Sequence, residues 1–278
     1  MNDVWGRRLR NIPVYVVLAI SLLLALLPFA VIVLASFKTS TELTRGVFTL
    51  PEVWRWENYV RAWTQGRFGQ YFFSSVVVAG AVVLLATFFS ILAGYAFGRM
   101  RFPLHTLLFG VFLLGIMVPQ EAFIIPLYHT MRRLGLYDTY WALILPQVGL
   151  SVCFGAFWMA GAFGGIPQDL EDAARVDGCN SWTALWRVLL PVVQPALLTL
   201  VVLLFVWTWN DFLLALVLVA SEELRTLPLG LAFFQGRYSM EMSLVAAGAV
   251  MVALPTILIY ALFQRQFIQG VTAGAVQG

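Results

Sequence analysis

Residues Ile166–Pro191 read IPQDLEDAARVDGCNSWTALWRVLLP. They stand between two long apolar runs, 139–163 and 192–219, and their pattern calls for two short helices outside a bilayer. Pro167 suits the first turn of a helix, where an N–H has no partner anyway. Asp169, Glu171 and Asp172 gather at that helix's N-terminal end, where the backbone dipole favours negative charge. Glu171 and Arg175 stand four residues apart and can pair on one face. Gly178 can end the helix in a left-handed conformation, and Ser181 can cap the next one. Trp182, Leu185, Trp186 and Leu189 give that second helix an apolar stripe. Pro191 marks the junction with the following run. By pattern alone, the stretch fits a helix pair that docks on a partner. It fits equally an amphipathic hairpin lying on a membrane surface.

On either side the chain is built for lipid. Of its 278 residues 61% are hydrophobic and only 11% are charged, against roughly 25% charged in a soluble domain. Mean hydropathy is +0.86. Too few polar groups exist to cover a globular surface. Six runs reach the roughly 20 apolar residues that a membrane helix needs. They are 13–35, 71–97, 105–128, 139–163, 192–219 and 244–264, separated by loops at 36–70, 98–104, 129–138, 164–191 and 220–243. Backbone amides in lipid must be bonded within their own segment. The runs therefore predict an all-α, polytopic membrane protein of about six transmembrane helices. The third run is the weakest, because it contains His105, Pro119, Glu121 and Pro126. The first follows Arg7, Arg8 and Arg10 but is longer than the roughly 7–15 residues of a secretory h-region, so it reads as a retained helix. Ala86, Ser90 and Gly94, four apart, and the patch Ala246–Ala249 are small-residue seams for helix packing.

Charge does not orient the bundle. With both ends on one side, that side holds eight arginines and the other holds eight arginines and Lys38; the N-terminal cluster tips the chain weakly inward. Trp54, Trp56, Tyr59 and Trp63 in the 36–70 loop fit an interfacial aromatic belt. A net charge of +3 with no basic tract excludes nucleic acid as a partner. Cys153 and Cys179 fall at different depths and form no disulfide framework or metal site. His105 and His129 are too dispersed for a metal site or a triad. The only lysine, Lys38, follows Leu-Ala-Ser-Phe, so the chain has no phosphate-cradling G-x-x-x-x-G-K loop. No constellation for covalent chemistry is visible.

The 166–191 stretch resembles the EAA loop of ABC importer permeases, whose pattern is Glu-Ala-Ala, three residues, Gly, nine residues, Ile-x-Leu-Pro. Asp172-Ala173-Ala174, Gly178 and Val188-Leu189-Leu190-Pro191 meet that spacing at every step, with Asp for Glu and Val for Ile. Ala174-Arg175-Val176-Asp177-Gly178 is closest to the carbohydrate permeases. Trp209–Leu213, Leu227–Leu231 and the tail from Phe263 to Gly278 are similar to the MalG-type members, which usually carry Lys where this chain has Gln277. The resemblance covers nearly the whole chain and implies one importer transmembrane domain over 1–278. It implies pairing with a second permease subunit, two ATPase subunits that bind ATP and Mg, and an extracytoplasmic sugar-binding protein. This chain itself holds no cofactor and catalyses no reaction. The resemblance further places the chain in a bacterial or archaeal inner membrane with both termini cytoplasmic. Glu171, Asp172, Ala173, Ala174, Asp177, Gly178 and Pro191 become candidates for coupling to the ATPase.

Ionisable residues inside membrane helices usually face a cavity or a partner helix. Asp211 qualifies, with Asn210 and Trp207 on the same helical face, and so does Glu121, beside Gln120. Carboxylate and amide oxygens can accept sugar hydroxyls, and an indole can cover a sugar ring face. Trp207, Asn210, Asp211 and Glu121 therefore form a candidate path for a di- or oligosaccharide. The same polar groups can instead hold helices together. A stand-alone secondary transporter or channel, or a permease for a glycerol phosphodiester, is the alternative reading.

Overall fold

The computed structural model describes residues 12–237 and 241–275. Among them the long elements are all helices: α1 (Ile12–Ser36), α2 (Ser40–Arg45), α3 (Glu57–Gln65), α4 (Phe68–Arg99), α5 (His105–Met117), α6 (Gln120–Arg133) and α7 (Tyr140–Gly164). They continue as α8 (Gln168–Val176), α9 (Ser181–Val192, with a π turn at Leu185–Leu189), α10 (Gln194–Trp209), α11 (Leu213–Leu218), α12 (Leu227–Arg237) and α13 (Met242–Ala275). The arginine cluster at Arg7, Arg8 and Arg10 and the last three residues lie outside the described residues.

Among the described residues four helices, α1, α4, α7 and α13, are long and apolar enough to cross a membrane, and two bent pairs raise the number to six if each pair is one span. α1 buries none of its apolar window. Such a surface is stable only against lipid or another membrane helix.

Two runs that read as single helices are broken. Run 105–128 becomes α5 and α6, bent by 98°. Val118 is extended at φ −78° and ψ 118°, because the following Pro119 disfavours helical geometry there and has no N–H to continue the ladder. Run 192–219 stops at Trp209. Asn210 turns its side-chain amide back onto the Val206 carbonyl at 2.8 Å, competing for a helical acceptor. Asp211 and Phe212 are irregular before α11 begins. A third bend, of 83°, separates α9 from α10 at Val193.

The chain divides into two compact units, Met1–Phe68 with Leu231–Ala253, and Gly69–Gly230 with Leu254–Gly278. In the first, the loop after α1 carries its own polar centre. Lys38 is fully buried. Its Nζ donates to the carbonyls of Gly46 and Val47 and to Thr49 Oγ1, each at 3.1 Å. Asn58 Nδ2 donates to Ser36 O at 2.8 Å and Lys38 O at 3.0 Å. Phe37 packs edge-on against Trp54 and Trp56, so these two tryptophans close the loop.

In the second unit, α4 and α7 pack through small residues. A Cβ on Gly94 would collide with Met159, and one on Gly155 with Ser90. One core joins Ile91, Met159, Phe163, Leu185, Leu189 and Leu200; a separate one joins Val82, Met131, Leu143, Leu214 and Leu218. Asp138 ties the second core at its loop end. It takes a left-handed φ of 59°, and its amide donates to Leu218 O at 3.0 Å. Its Oδ1 accepts from Ala220 N and Ser221 N at 2.9 Å and from Ser221 Oγ at 2.8 Å. Burial pushes the carboxyl up, but the Ser221 amide and hydroxyl and the Ala220 amide outweigh it and hold it below the usual carboxylate range. A depressed folded-state value means that this stabilisation is complete above the ordinary value of about 3.9 and is lost as pH falls through the lower folded value. Amide exchange at Ala220 and Ser221 is therefore expected to stay slow down to about pH 4 and to accelerate only in stronger acid. Asp138→Ala should cost about 1–3 kcal/mol locally at every neutral pH, read as faster exchange at the same two amides.

Candidate functional site

Two constellations in the second unit carry candidate function, and α10 joins them. The first is the 166–191 loop. α8 ends in a Schellman arrangement: Gly178 N donates to Arg175 O at 3.0 Å and Cys179 N to Ala174 O at 2.9 Å, with Gly178 at φ +84°. That geometry puts Asn180, not Ser181, at the next cap, where its Oδ1 accepts from Thr183 N at 2.8 Å. Leu185 and Leu189 are buried, while Trp182 stays 58% exposed and packs edge-on against Trp186. Pro191 is exposed, just before the bend into α10.

The acidic residues of α8 separate into two kinds. Glu171 is buried, whereas Asp172, Ala173, Asp177 and Gly178 are exposed and Ala174 is buried. Glu171 Oε1 accepts from Arg175 Nη2 at 2.9 Å, as the spacing of four predicts. Its Oε2 lies 3.7 Å from Arg99 Nε, both side chains being almost fully buried. Arg99 also donates through Nη2 to Ile166 O at 2.7 Å. Arg99 thus moors the loop to the end of α4. Sequence reasoning missed it, because a lone arginine at a helix end carries no signal of a distant partner.

The second constellation is a cavity of about 310 Å³ where the breaks in α5–α6 and α10–α11 face α7. Trp207 and Asp211 line it together with Gln120, Gln147, Ser151, Phe154 and Thr208. Trp207 packs edge-on against Phe154, ring centroids 4.8 Å apart. Gln120 Nε2 donates to Asp211 Oδ1 at 3.3 Å, and Asp211 Oδ2 is buried with no hydrogen-bond partner. Asn210 and Glu121 are not on this wall. Asn210 has left the face of Trp207, because α10 ends at Trp209, and its amide lies 3.4 Å from Thr256 Oγ1 on α13. Glu121 is exposed, and its neighbour Gln120 supplies the polar group instead. Among the described residues, no group of three His, Cys, Asp or Glu could hold a metal.

Several apolar helical spans, with breaks around a polar cavity, define a multi-pass membrane protein of the permease class. Residues 86–271 match the family model of the binding-protein-dependent transport system inner membrane component, and the chain belongs to that family. It is 34% identical over 265 residues to the probable ABC transporter permease protein YurM of Bacillus subtilis, covering 95% of this chain and 88% of that one. It is 34% identical over 259 residues to the arabinooligosaccharides transport system permease protein AraQ of Halalkalibacterium halodurans, covering 92% of each. Among solved structures, a bacterial ABC transporter involved in the import of the acidic polysaccharide alginate superimposes with a TM-score of 0.82 at 27% identity, covering 94% of this chain and 98% of that one.

Proposed function

We propose that the chain is one of two permease subunits of an ATP-driven importer for a di- or oligosaccharide, delivered by an extracytoplasmic binding protein. Two partner ATPase subunits bind ATP and Mg and dock on the 166–191 loop; the chain itself carries out no covalent chemistry. Both termini and the 166–191 loop lie in the cytoplasm, and the Trp54–Trp63 loop lies outside. Support comes from the family, from relatives of nearly equal length, and from the loop's match to the EAA spacing. The observation that carries the mechanism is continuity. α9 leads through one bend into α10, whose far end carries Trp207 and then Asp211 on the cavity wall. α10 spans 16 residues, about 24 Å at 1.5 Å per residue. A displacement of the docked loop therefore reaches the cavity along one rigid element.

In this reading Asp172, Ala173, Asp177 and Gly178 form the exposed docking side of α8. Glu171 and Ala174 hold the helix to the rest of the chain, and Pro191 marks where motion enters α10. Trp207 and Asp211 contribute to the solute path. Asp211→Ala, purified with all partner subunits and reconstituted in liposomes, should retain full subunit content while uptake falls several-fold. A complex that fails to assemble, with the residual assembled fraction transporting normally, would make Asp211 a structural residue and remove it from the path.

A further inference from the structure

The polar wall of the 310 Å³ cavity has an unbalanced composition. Gln120, Gln147, Ser151 and Thr208 are neutral, and Asp211 is the one ionisable group among the described lining residues. Gln120 takes one carboxylate oxygen at 3.3 Å; the other, Oδ2, is buried and has no hydrogen-bond partner. A carboxylate walled by membrane helices repels an anion far more strongly than one in water, since little solvent screens it. No lysine, arginine or histidine on this wall offsets that repulsion. Hydroxyl hydrogens suit the wall well. A carboxylate accepts only, while Gln, Ser and Thr both donate and accept.

We propose that this cavity admits uncharged, polyhydroxylated solutes and turns away anionic ones, such as uronates and phosphodiesters, with Asp211 as the selecting group and Gln120 as the residue that positions it. The proposal rests on the cavity belonging to the solute path. It deepens that reading by fixing the charge class of the cargo at the permease, independently of what the binding protein captures. It also counts against a glycerol phosphodiester as cargo.

The test reads the cavity's charge directly. In the complete reconstituted transporter, Cys153 and Cys179 are replaced by serine and Ser151→Cys supplies one thiol on the wall. Methanethiosulfonate reagents of similar size bearing a trimethylammonium, a sulfonate or a neutral group are then compared, both without nucleotide and with the ATPases trapped by ATP and vanadate. The cationic reagent should react about tenfold or more faster than the anionic one, relative to their rates with a free thiol. Asp211→Asn should bring that ratio close to one without changing the neutral reagent's rate. Gln120→Leu should shift the ratio while again sparing the neutral rate, which a purely structural role would not do. Equal reactivity of the two charged reagents with Asp211 present, or a ratio unmoved by Asp211→Asn, would overturn the selectivity. If no reagent, neutral included, reaches the thiol in either state, the cavity is not on the path, and the functional reading of Asp211 fails with it.

Discussion

Arg99→Ala should release the 166–191 loop from the membrane bundle and abolish coupled uptake. Arg99 and Glu171 are both almost fully buried, and removing one partner of such a pair leaves an uncompensated charge at a cost of about 3–5 kcal/mol. Arg175 still reaches Glu171 Oε1 at 2.9 Å but is 58% exposed, so it only moderates the loss, and the low end of that range is expected. The variant also forfeits the 2.7 Å bond to Ile166 O at the entry to α8. Hydrogen exchange over 166–180 should accelerate by at least two orders of magnitude, while exchange in α4 and α7 stays slow. Replacing both partners by apolar residues, Arg99→Met with Glu171→Leu, should recover most of the protection, because no charge is then left buried. If the single variant keeps wild-type protection, or the double is worse than the single, the pair does not moor the loop.

The loop shows how far local chemistry reaches. Its helix end at Gly178 and the Glu171–Arg175 pair are events within one or two turns, so spacing alone specifies them. The cap fell one residue from its expected place, because the Schellman turn uses Cys179 as its last donor and leaves Asn180, not Ser181, with the extended backbone of a cap. Arg99 was not legible, since its partners come from a segment that the fold, and not the local sequence, brings to it. The membrane runs were legible as apolar lengths, but their breaks were not. Pro119 and Asn210 are common enough inside membrane helices that only the surrounding bundle decides whether the chain straightens or turns. The cavity wall depends on those breaks. Asp211 and Trp207 were recognisable as polar or aromatic groups in an apolar run, yet the helical phase that grouped them with Asn210 ends one residue too soon. After the turn at Pro119 the phase of α6 starts afresh, presenting Gln120 to the cavity and Glu121 away from it.

Both breaks sit beside the cavity, and a hydrogen bond from Gln120 to Asp211 joins them. Beyond them α6 and α11 share the core of Met131, Leu214 and Leu218. On the other side, α9 and α10 share the core of Leu185, Leu189 and Leu200. α10 therefore shares its core with the 166–191 loop, while α11, the short helix that follows it in sequence, belongs to the other core. A displacement of the loop is expected to carry α10 with it and to be taken up at Asn210–Phe212, between the end of α10 and the start of α11.

That linkage makes Gly178→Val the sharpest test of coupling. Gly178 holds φ at +84°, and nothing lies within 4 Å of where a Cβ would stand. The valine meets no neighbour, so its whole effect is on the backbone, where the left-handed conformation costs a residue with a Cβ about 1–2 kcal/mol, more for a branched one. An energy of that size lowers the population of the native bend between α8 and α9 roughly five- to thirtyfold against straighter alternatives. Insertion and pairing with the second permease should be unaffected, because the bend lies outside the membrane-spanning helices. Uptake and binding-protein-stimulated ATP hydrolysis should fall together by about tenfold, with subunit content unchanged. Gly178→Asn, which tolerates the left-handed region, should recover most of the activity, and Gly178→Ala should fall between the two. Transport at the wild-type rate in the valine variant, with all subunits present, would show that 166–191 is a surface hairpin with no part in coupling. A loss of ATPase subunits from the purified complex would instead place the defect in docking itself, and the asparagine variant should then restore their binding in step with uptake.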